Sequence, residues 1–428
     1  MPTQPPDFTQ PPPGYQAVTS ALEGITVFAP QPKADPTAAL TDYKCPNCGA
    51  PTRFDVAAGG VECEHCGFVV KVQAQQVGRQ AGQTEFTLEN LEQSRLGWGV
   101  TRRQLHCDAC GAELELADNA ITATCPFCAS NQVNLRQAPG DHMRPRFLVP
   151  FKVEANDCQQ RARVWLGRGW YHPKALATSA AIQPFTGVYL PFWTFSARVD
   201  ASWRAEVGHE RTERYYDSGS KSWQTRVHID WRWESGQAQA NYNDLLVDGS
   251  SHTSKKLLDR IRPFGLDALV TYSPDYLAGW QAQVYDIPLE TAWDQGKALM
   301  RDSSKDQCRK SISSSHVRNF SMAADFNDEV WRFILLPVYL TAYRYNERVF
   351  QVLVNGQTGA IGGQKPVDWW KIWLVIVAML LPALAAGLAG LINAQADQTI
   401  FVVAFLLLIL GVVGAVVLYR SALSSEEA

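Results

Sequence analysis

The sequence predicts a multidomain chain: two small four-cysteine ribbons, an α+β body rich in antiparallel strands, and a C-terminal hairpin of two apolar helices. Three observations carry that expectation. Residues 45–67 read CPNCGAPTRFDVAAGGVECEHCG and residues 107–129 read CDACGAELELADNAITATCPFCA, and the two align without a gap. A strand-like motif around a proline is written three times, as FLVPFKV, VYLPFWTF and ILLPVYLT. Apolar runs follow the last copy and end in FVVAFLLLILGVVGAVVLYR.

Residues 1–40 carry nine prolines and no apolar core of a signal peptide. They read as a disordered Pro/Gln-rich tail, partly polyproline-like. Its uses are as a ligand for a proline-binding partner or as an idle solvated segment. The first ribbon spans residues 41–72 and the second residues 105–135. The linker between them, residues 73–104, begins polar and then places Phe86, Leu88, Leu91 and Leu96 at mixed spacing. That spacing suits a short helix or an extended connection.

The body covers residues 145–366. Proline has no N–H, so each proline motif reads as a strand entering a sheet, with the proline where pairing begins. The second copy runs on to an alternating segment, WQTRVHIDWRW, beyond a turn-like DSGS, which predicts a long β-hairpin. The third continues into AYRYNERVFQVLVNGQTGAIGG, with turns at Asn346-Glu347 and Asn355-Gly356. Apolar residues three and four apart predict helices over Ala155–Leu166, Lys255–Leu269 and Leu289–Lys305, with Pro263 breaking the second. Strands of this kind with a few helices predict helices packed on one face of the sheet.

Residues 372–392 and 400–418 are free of charge and each approaches the ~20 residues that cross a ~30 Å hydrocarbon core. The connection NAQADQT allows only a tight hairpin. Lys365 and Lys371 precede the first span and Arg420 follows the second, while the turn carries only Asp397. The positive-inside rule then places both termini, including the tail 419–428, in the cytosol, with the hairpin in the cytoplasmic (inner) membrane. Trp369, Trp370, Trp373 and Tyr419 stand where an aromatic belt belongs. Ala386/Gly390 and Gly411/Ala415 are small pairs suited to close helix packing.

Of ten cysteines, eight form two sets: Cys45, Cys48, Cys63 and Cys66, then Cys107, Cys110, Cys125 and Cys128. Paired knuckles of this spacing suit metal-bound thiolates in a reducing compartment. Four thiolates close a tetrahedron and leave no open position for catalysis. Zinc is the expected ion, two per chain, with iron in a rubredoxin-like site as the alternative. Gly49, Gly67 and Gly111 follow three knuckles, and Ala129 the fourth. His65 and His106 neighbour the ligands without being needed as ligands. Cys158 and Cys308 read as free, inert thiols.

The charge pattern argues against nucleic acid. The net charge is −3, and the first ribbon sets Lys44 and Arg53 against Asp42, Asp55, Glu62 and Glu64. The second carries Asp108, Glu113, Glu115 and Asp118, with only Arg102 and Arg103 as a small basic spot beside it. Protein docking is the better use of both. No nucleophile elbow, HExxH, P-loop or GxGxxG is present. His172, His209, His228 and His252 lie near acidic residues, as surface histidines often do. Asn355–Gly359 (NGQTG) reads first as a hairpin turn. The sequence therefore nominates no catalytic residue and no reaction, and the central body is the only place left for an enzyme.

With these residues in view, the chain resembles a family of bacterial membrane zinc-ribbon proteins, labelled "primosomal protein N′-like" or transcription-factor-IIB-type. The carrying motifs are CPNCGA, VYLPFWTF, TYSPDYLAGWQAQVYD and ILLPVYLTAYRYNERVFQVLVNGQTGAIGGQKP. The resemblance covers residue 41 to the end. It implies a membrane anchor that recruits phage-shock-protein-A-like or SPFH/flotillin-like partners in envelope stress or membrane maintenance. The reading that follows is a non-enzymatic membrane scaffold. The alternatives are a membrane-tethered nucleic-acid-binding protein and an enzyme of unknown reaction in the body.

Overall fold

The structure, a computed structural model, describes residues 15–18, 27–30, 45–85, 103–116, 125–137, 143–178, 185–392 and 398–426, apart from positions 46, 51, 73, 74, 83, 129, 220 and 347. The chain divides into two compact units, Met1–Asp42 and Tyr43–Ala428. In the first, strand β1 (Tyr15–Val18) pairs antiparallel with β2 (Val27–Pro30). The rest of the proline-rich tail lies outside the described residues, as do the linker positions Phe86, Leu88, Leu91 and Leu96.

The second unit begins with a three-stranded sheet of β3 (Thr52–Asp55), β4 (Gly60–Cys63) and β5 (Val69–Lys71). Short β6 (Thr84–Glu85) leads to the second ribbon, made of β7 (Arg103–Cys107), β8 (Glu113–Leu116) and β9 (Val133–Gln137). The body then runs β10 (Phe147–Leu148), α1 (Ala155–Leu166), β11 (Thr186–Asp217), β12 (Ser222–Asp248) and α2 (Lys255–Ile261). It continues with β13 (Val270–Thr271), β14 (Gln281–Gln283), α3 (Leu289–Lys310), β15 (His316–Tyr345), β16 (Arg348–Asn355) and β17 (Ile361–Gly363). Two long helices close the chain, α4 (Trp369–Ile392) and α5 (Gln398–Glu426).

The strand-rich body, the two cysteine sets and the two apolar C-terminal helices stand as the sequence predicts. The break expected at Pro263 is met, since α2 stops at Ile261 and Arg262-Pro263 cannot continue it. Two features extend or correct the expectation. The third helix runs past Lys305 to Lys310. The helices also do not share one face of the sheet. Leu148, Tyr189, Trp193, Phe333, Leu335 and Tyr339 pack with residues of α1 and α3. Their sequence neighbours Phe147, Val188, Leu190, Phe192, Ile334 and Leu336 pack with Leu257, Leu258 and Ile261 of α2. A strand buried on both faces has no polar side to present. That is why VYLPFW and ILLPVY read as continuous apolar runs rather than alternating ones.

The body contains an internal duplication. β14 lies parallel to β11 at Val188↔Gln281, and β10 lies parallel to β15 at Ile334↔Phe147. On the same edges β12 takes over opposite Phe192 and β16 opposite Val338. Pro191 and Pro337 sit at the two handovers, where no neighbouring strand requires an N–H. Each proline carbonyl accepts an amide from a hairpin glycine, Gly249 at 3.0 Å and Gly356 at 2.9 Å. The carbonyls of these glycines accept in turn from Asp286 and Ile287, and from Lys152 and Val153. A helix starts two residues after each of these pairs, α3 at Leu289 and α1 at Ala155. Short strand, helix, long strand and hairpin thus occur twice, crossed over each other about β11 and β15.

Beyond this core β11, β12 and β15 continue as a long ribbon, on which Cys308 of α3 and Ile312, just past its end, pack against Trp203, Ala205 and Val207. At the opposite end α4 and α5 are long and apolar enough to cross a membrane, with mean hydropathies of 2.5 and 3.2. They pack antiparallel, Ile372 and Ile376 meeting Ala422. A Cβ at Gly411 would sit 2.8 Å from the Met379 carbonyl, so the small residue permits the close approach. Both open ends of the hairpin touch the body. The Lys365 amide donates to the Ser425 carbonyl at 2.8 Å, and Arg348 meets Glu426 at 2.9 Å.

Candidate metal centres

Each cysteine set is built by two tight turns. Gly49, Gly67 and Gly111 adopt φ of 73°, 68° and 74°, and their amides donate to the carbonyls of Cys45, Cys63 and Cys107. This left-handed backbone suits glycine and folds the chain back over the sulfurs. In the first centre Cys45 and Cys66 Sγ are 3.5 Å apart, as are Cys48 and Cys63. In the second, Cys107–Cys128 and Cys110–Cys125 are 3.6 and 3.7 Å apart. All four sulfurs of each set lie within 4.8 Å of one another. A tetrahedron with metal–sulfur bonds of ~2.3 Å needs edges of ~3.8 Å, so both sets fit one ion such as zinc.

The thiols do not titrate alike. The Phe68 amide pulls the Cys66 thiol down to about 6, whereas at Cys48 the lowering by the Ala50 amide is outweighed by partial desolvation and the adjoining thiols of Cys63, Cys66 and Cys45, which push it up to about 12. Four thiolates this close repel one another, and a divalent cation relieves that repulsion and displaces the remaining protons. His65 is exposed and belongs to neither set, and His106 lies 3.4 Å from Glu113 and 3.8 Å from Asp108. Cys158 and Cys308 are fully buried, and burial raises both thiols, Cys158 to about 12.

The two centres differ in their surroundings, a difference that their matching spacing concealed. The second is part of the body. β8 pairs with β14 at Leu114↔Gln283, and Leu105, Cys107, Leu114 and Phe127 join the apolar layer beneath Val188 and Leu336. Gln351 Nε2 donates to the Phe127 carbonyl at 2.6 Å. The first centre keeps its own sheet and touches the body along one edge. There the Phe54 amide donates to Ala278 O at 2.9 Å and the Phe54 ring lies 5.0 Å from Tyr276. Its other edge is open: Phe68, Val69 and Val70 are 39%, 41% and 49% exposed.

The histidines near acidic residues do not converge. His209 meets Glu234 at 2.7 Å and His228 meets Glu213 at 3.5 Å across the β11–β12 hairpin. His252 lies 3.6 Å from Asp286, and His172 Nδ1 is 2.9 Å from the Pro366 carbonyl. In the Asn355–Gly359 loop, Asn355 Oδ1 accepts the amides of Gln357 and Thr358, an Asx turn that joins β16 to β17. A cavity of ≈ 480 Å³ lies between the first ribbon and the body, lined by Arg53, Asp55, Glu154, Thr186, Trp280 and Tyr339. Its walls come from distant segments, Arg53 and Asp55 from the first ribbon, Trp280 from TYSPDYLAGWQAQVYD and Tyr339 from ILLPVYLT.

Among known proteins the chain is similar to the uncharacterized protein YdjG of Bacillus subtilis (strain 168), with 26% identity over 336 residues, 78% of this chain and 92% of that protein. No protein-family model matches. No solved structure matches either.

Proposed function

We propose that the chain is a non-enzymatic, membrane-anchored zinc-ribbon scaffold that recruits a cytosolic protein partner. One observation carries this reading: the second ribbon is built into the body, whereas the first displays the apolar edge Phe68–Val70 beside a closed metal centre. A closed centre does no chemistry on a substrate, and exposed apolar residues on a small rigid sheet are what a protein partner buries. The helical hairpin holds this surface at the inner face of the cytoplasmic membrane, with both termini cytosolic, and the reduced cysteines agree with that side. By resemblance the partner class is phage-shock-protein-A-like or SPFH/flotillin-like, acting in envelope stress or membrane maintenance.

The test is co-purification from membranes. Phe68→Asp with Val70→Asp should abolish partner recovery while membrane insertion and zinc content stay unchanged. Undiminished recovery sinks the reading. A second reading, a small-molecule site in the body, is favoured by the cavity beside Trp280, whose indole Nε1 is buried without a partner among the described residues. A ligand that stabilises the wild type but not Trp280→Phe would support it.

A further inference from the structure

The segment 167–174, GRGWYHPK, is held against the base of the helical hairpin by its backbone. Lys365 Nζ donates to the carbonyls of Trp165 at 2.6 Å and Arg168 at 3.2 Å, and Lys371 Nζ to that of His172 at 3.2 Å. The Asp368 amide donates to the Tyr171 carbonyl at 2.8 Å. The Tyr171 ring packs with Ile372, Ile376 and Ala422, and its hydroxyl lies 3.4 Å from Ser425 Oγ. The segment therefore flanks the first turn of α4 and the last turn of α5, the level at which a spanning hairpin leaves the hydrocarbon.

Its outward side chains are of two kinds. Trp170 is 54% exposed, set edge-on to Tyr171, and Trp370 and Trp373 at the start of α4 are 65% and 55% exposed. Arg168, Lys174 and, at the end of α5, Arg420 are exposed as well. Between Asp157 and Asp200 the sequence has no acidic residue, and Asp368, whose amide bonds to the segment, has its carboxylate paired with Lys371 at 2.6 Å. An amphipathic indole flanked by cations matches the boundary of acyl chains and phosphates.

We propose that segment 167–174 is a second membrane contact, with Trp170 seated at the acyl–headgroup boundary and Arg168 and Lys174 on the phosphates of anionic phospholipids. The proposal rests on the reading of α4 and α5 as membrane spans. With it the body meets the leaflet beside the hairpin as well as through it, and cannot swing freely about the two helix ends. Charges near an anionic surface each contribute about a fivefold preference, and the segment carries two.

The test uses the full-length protein in nanodiscs of phosphatidylcholine with and without phosphatidylglycerol. A photo-cross-linking phenylalanine analogue at position 170 should capture phospholipid, identified by mass spectrometry. The doubly substituted Arg168→Gln, Lys174→Gln protein should lose its enrichment of phosphatidylglycerol by an order of magnitude or more. The same analogue at position 373 is the control. Lipid capture at 373 without capture at 170, or capture of protein at 170, overturns the second contact and leaves the hairpin reading standing. Unchanged phosphatidylglycerol enrichment in the double variant overturns the headgroup assignment. Absence of lipid at both positions overturns the membrane reading and the proposal with it.

Discussion

Pro191 lies opposite Leu335 and Pro337 lies opposite Tyr189 on one pair of antiparallel strands, so the two prolines are equivalent points of a crossed duplication. Each marks the place where a parallel strand ends and a hairpin partner begins. The equivalence extends to Gly249 and Gly356, whose amides satisfy the proline carbonyls. A Cβ on Gly249 would meet the Pro191 carbonyl oxygen at 2.8 Å, and one on Gly356 would meet the Phe151 ring at 2.4 Å. Gly249→Ala and Gly356→Ala should each destabilise the body by about 1–3 kcal/mol. Urea unfolding of the detergent-solubilised protein checks this, and a neutral result at both positions counts against the equivalence.

How much of this was legible in the sequence follows from the same residues. The ligand sets were readable because a Cys-x-x-Cys turn is local chemistry, needing only residues next to one another. The proline motifs marked strands but not where pairing begins. β11 starts at Thr186 and β15 at His316, ahead of Pro191 and Pro337, and Pro150 follows the end of β10. A missing N–H restricts where a proline sits without fixing a strand's start. The duplication was not legible, because it is carried by short echoes such as LVDG and LVNG whose partners are set by long-range pairing. Equal cysteine spacing suggested two equal ribbons. The pairing of Leu114 with Gln283 and the packing of Leu105, Cys107 and Phe127 reveal that one of them belongs to the body.

A buried ion pair joins the ribbon strands. Arg332 and Asp244 form a salt bridge with side chains 1% and 6% exposed, and Arg332 also donates to Thr194 Oγ1 at 3.2 Å and to the Ala81 carbonyl at 3.3 Å. Burial lowers the guanidinium from its usual value, so its carboxylate is needed. Asp244→Ala should cost about 3–5 kcal/mol by leaving a charge buried without its counterion. Chemical denaturation measures this, and a loss below ~1 kcal/mol would contradict the burial argument.

The two metal centres should fail differently. Cys45 and Cys107 are both buried, but Cys107 belongs to the apolar layer beneath Val188 and Leu336, and its fellow ligands Cys110 and Cys128 are half-buried where the equivalent Cys48 and Cys66 of the first centre are exposed. Elemental analysis should find two metal ions per chain in the wild type and one in either Cys45→Ser or Cys107→Ser. Cys107→Ser should also lower the Tm of the body, while Cys45→Ser should leave that transition in place. Equal melting curves for the two variants would contradict the observed difference in burial.

Lys365 should give the body an alkaline signature. Burial, with Arg168 nearby, lowers its ammonium to about 8, while the unfolded chain keeps that proton up to about 10.4. Below pH 8 both states carry the charge, and the folded state bears the full cost of burying it. Between these values the folded state has released a proton that the unfolded state retains, so stability rises with pH. The neutral amine still has two hydrogens for the carbonyls of Trp165 and Arg168, so deprotonation does not break those bonds. Lys365→Met removes both the charge and the titration. The Tm of the wild type relative to Lys365→Met should therefore climb from pH 7.5 to 9.5, and parallel pH profiles for the two proteins would show that Lys365 titrates as it does in water.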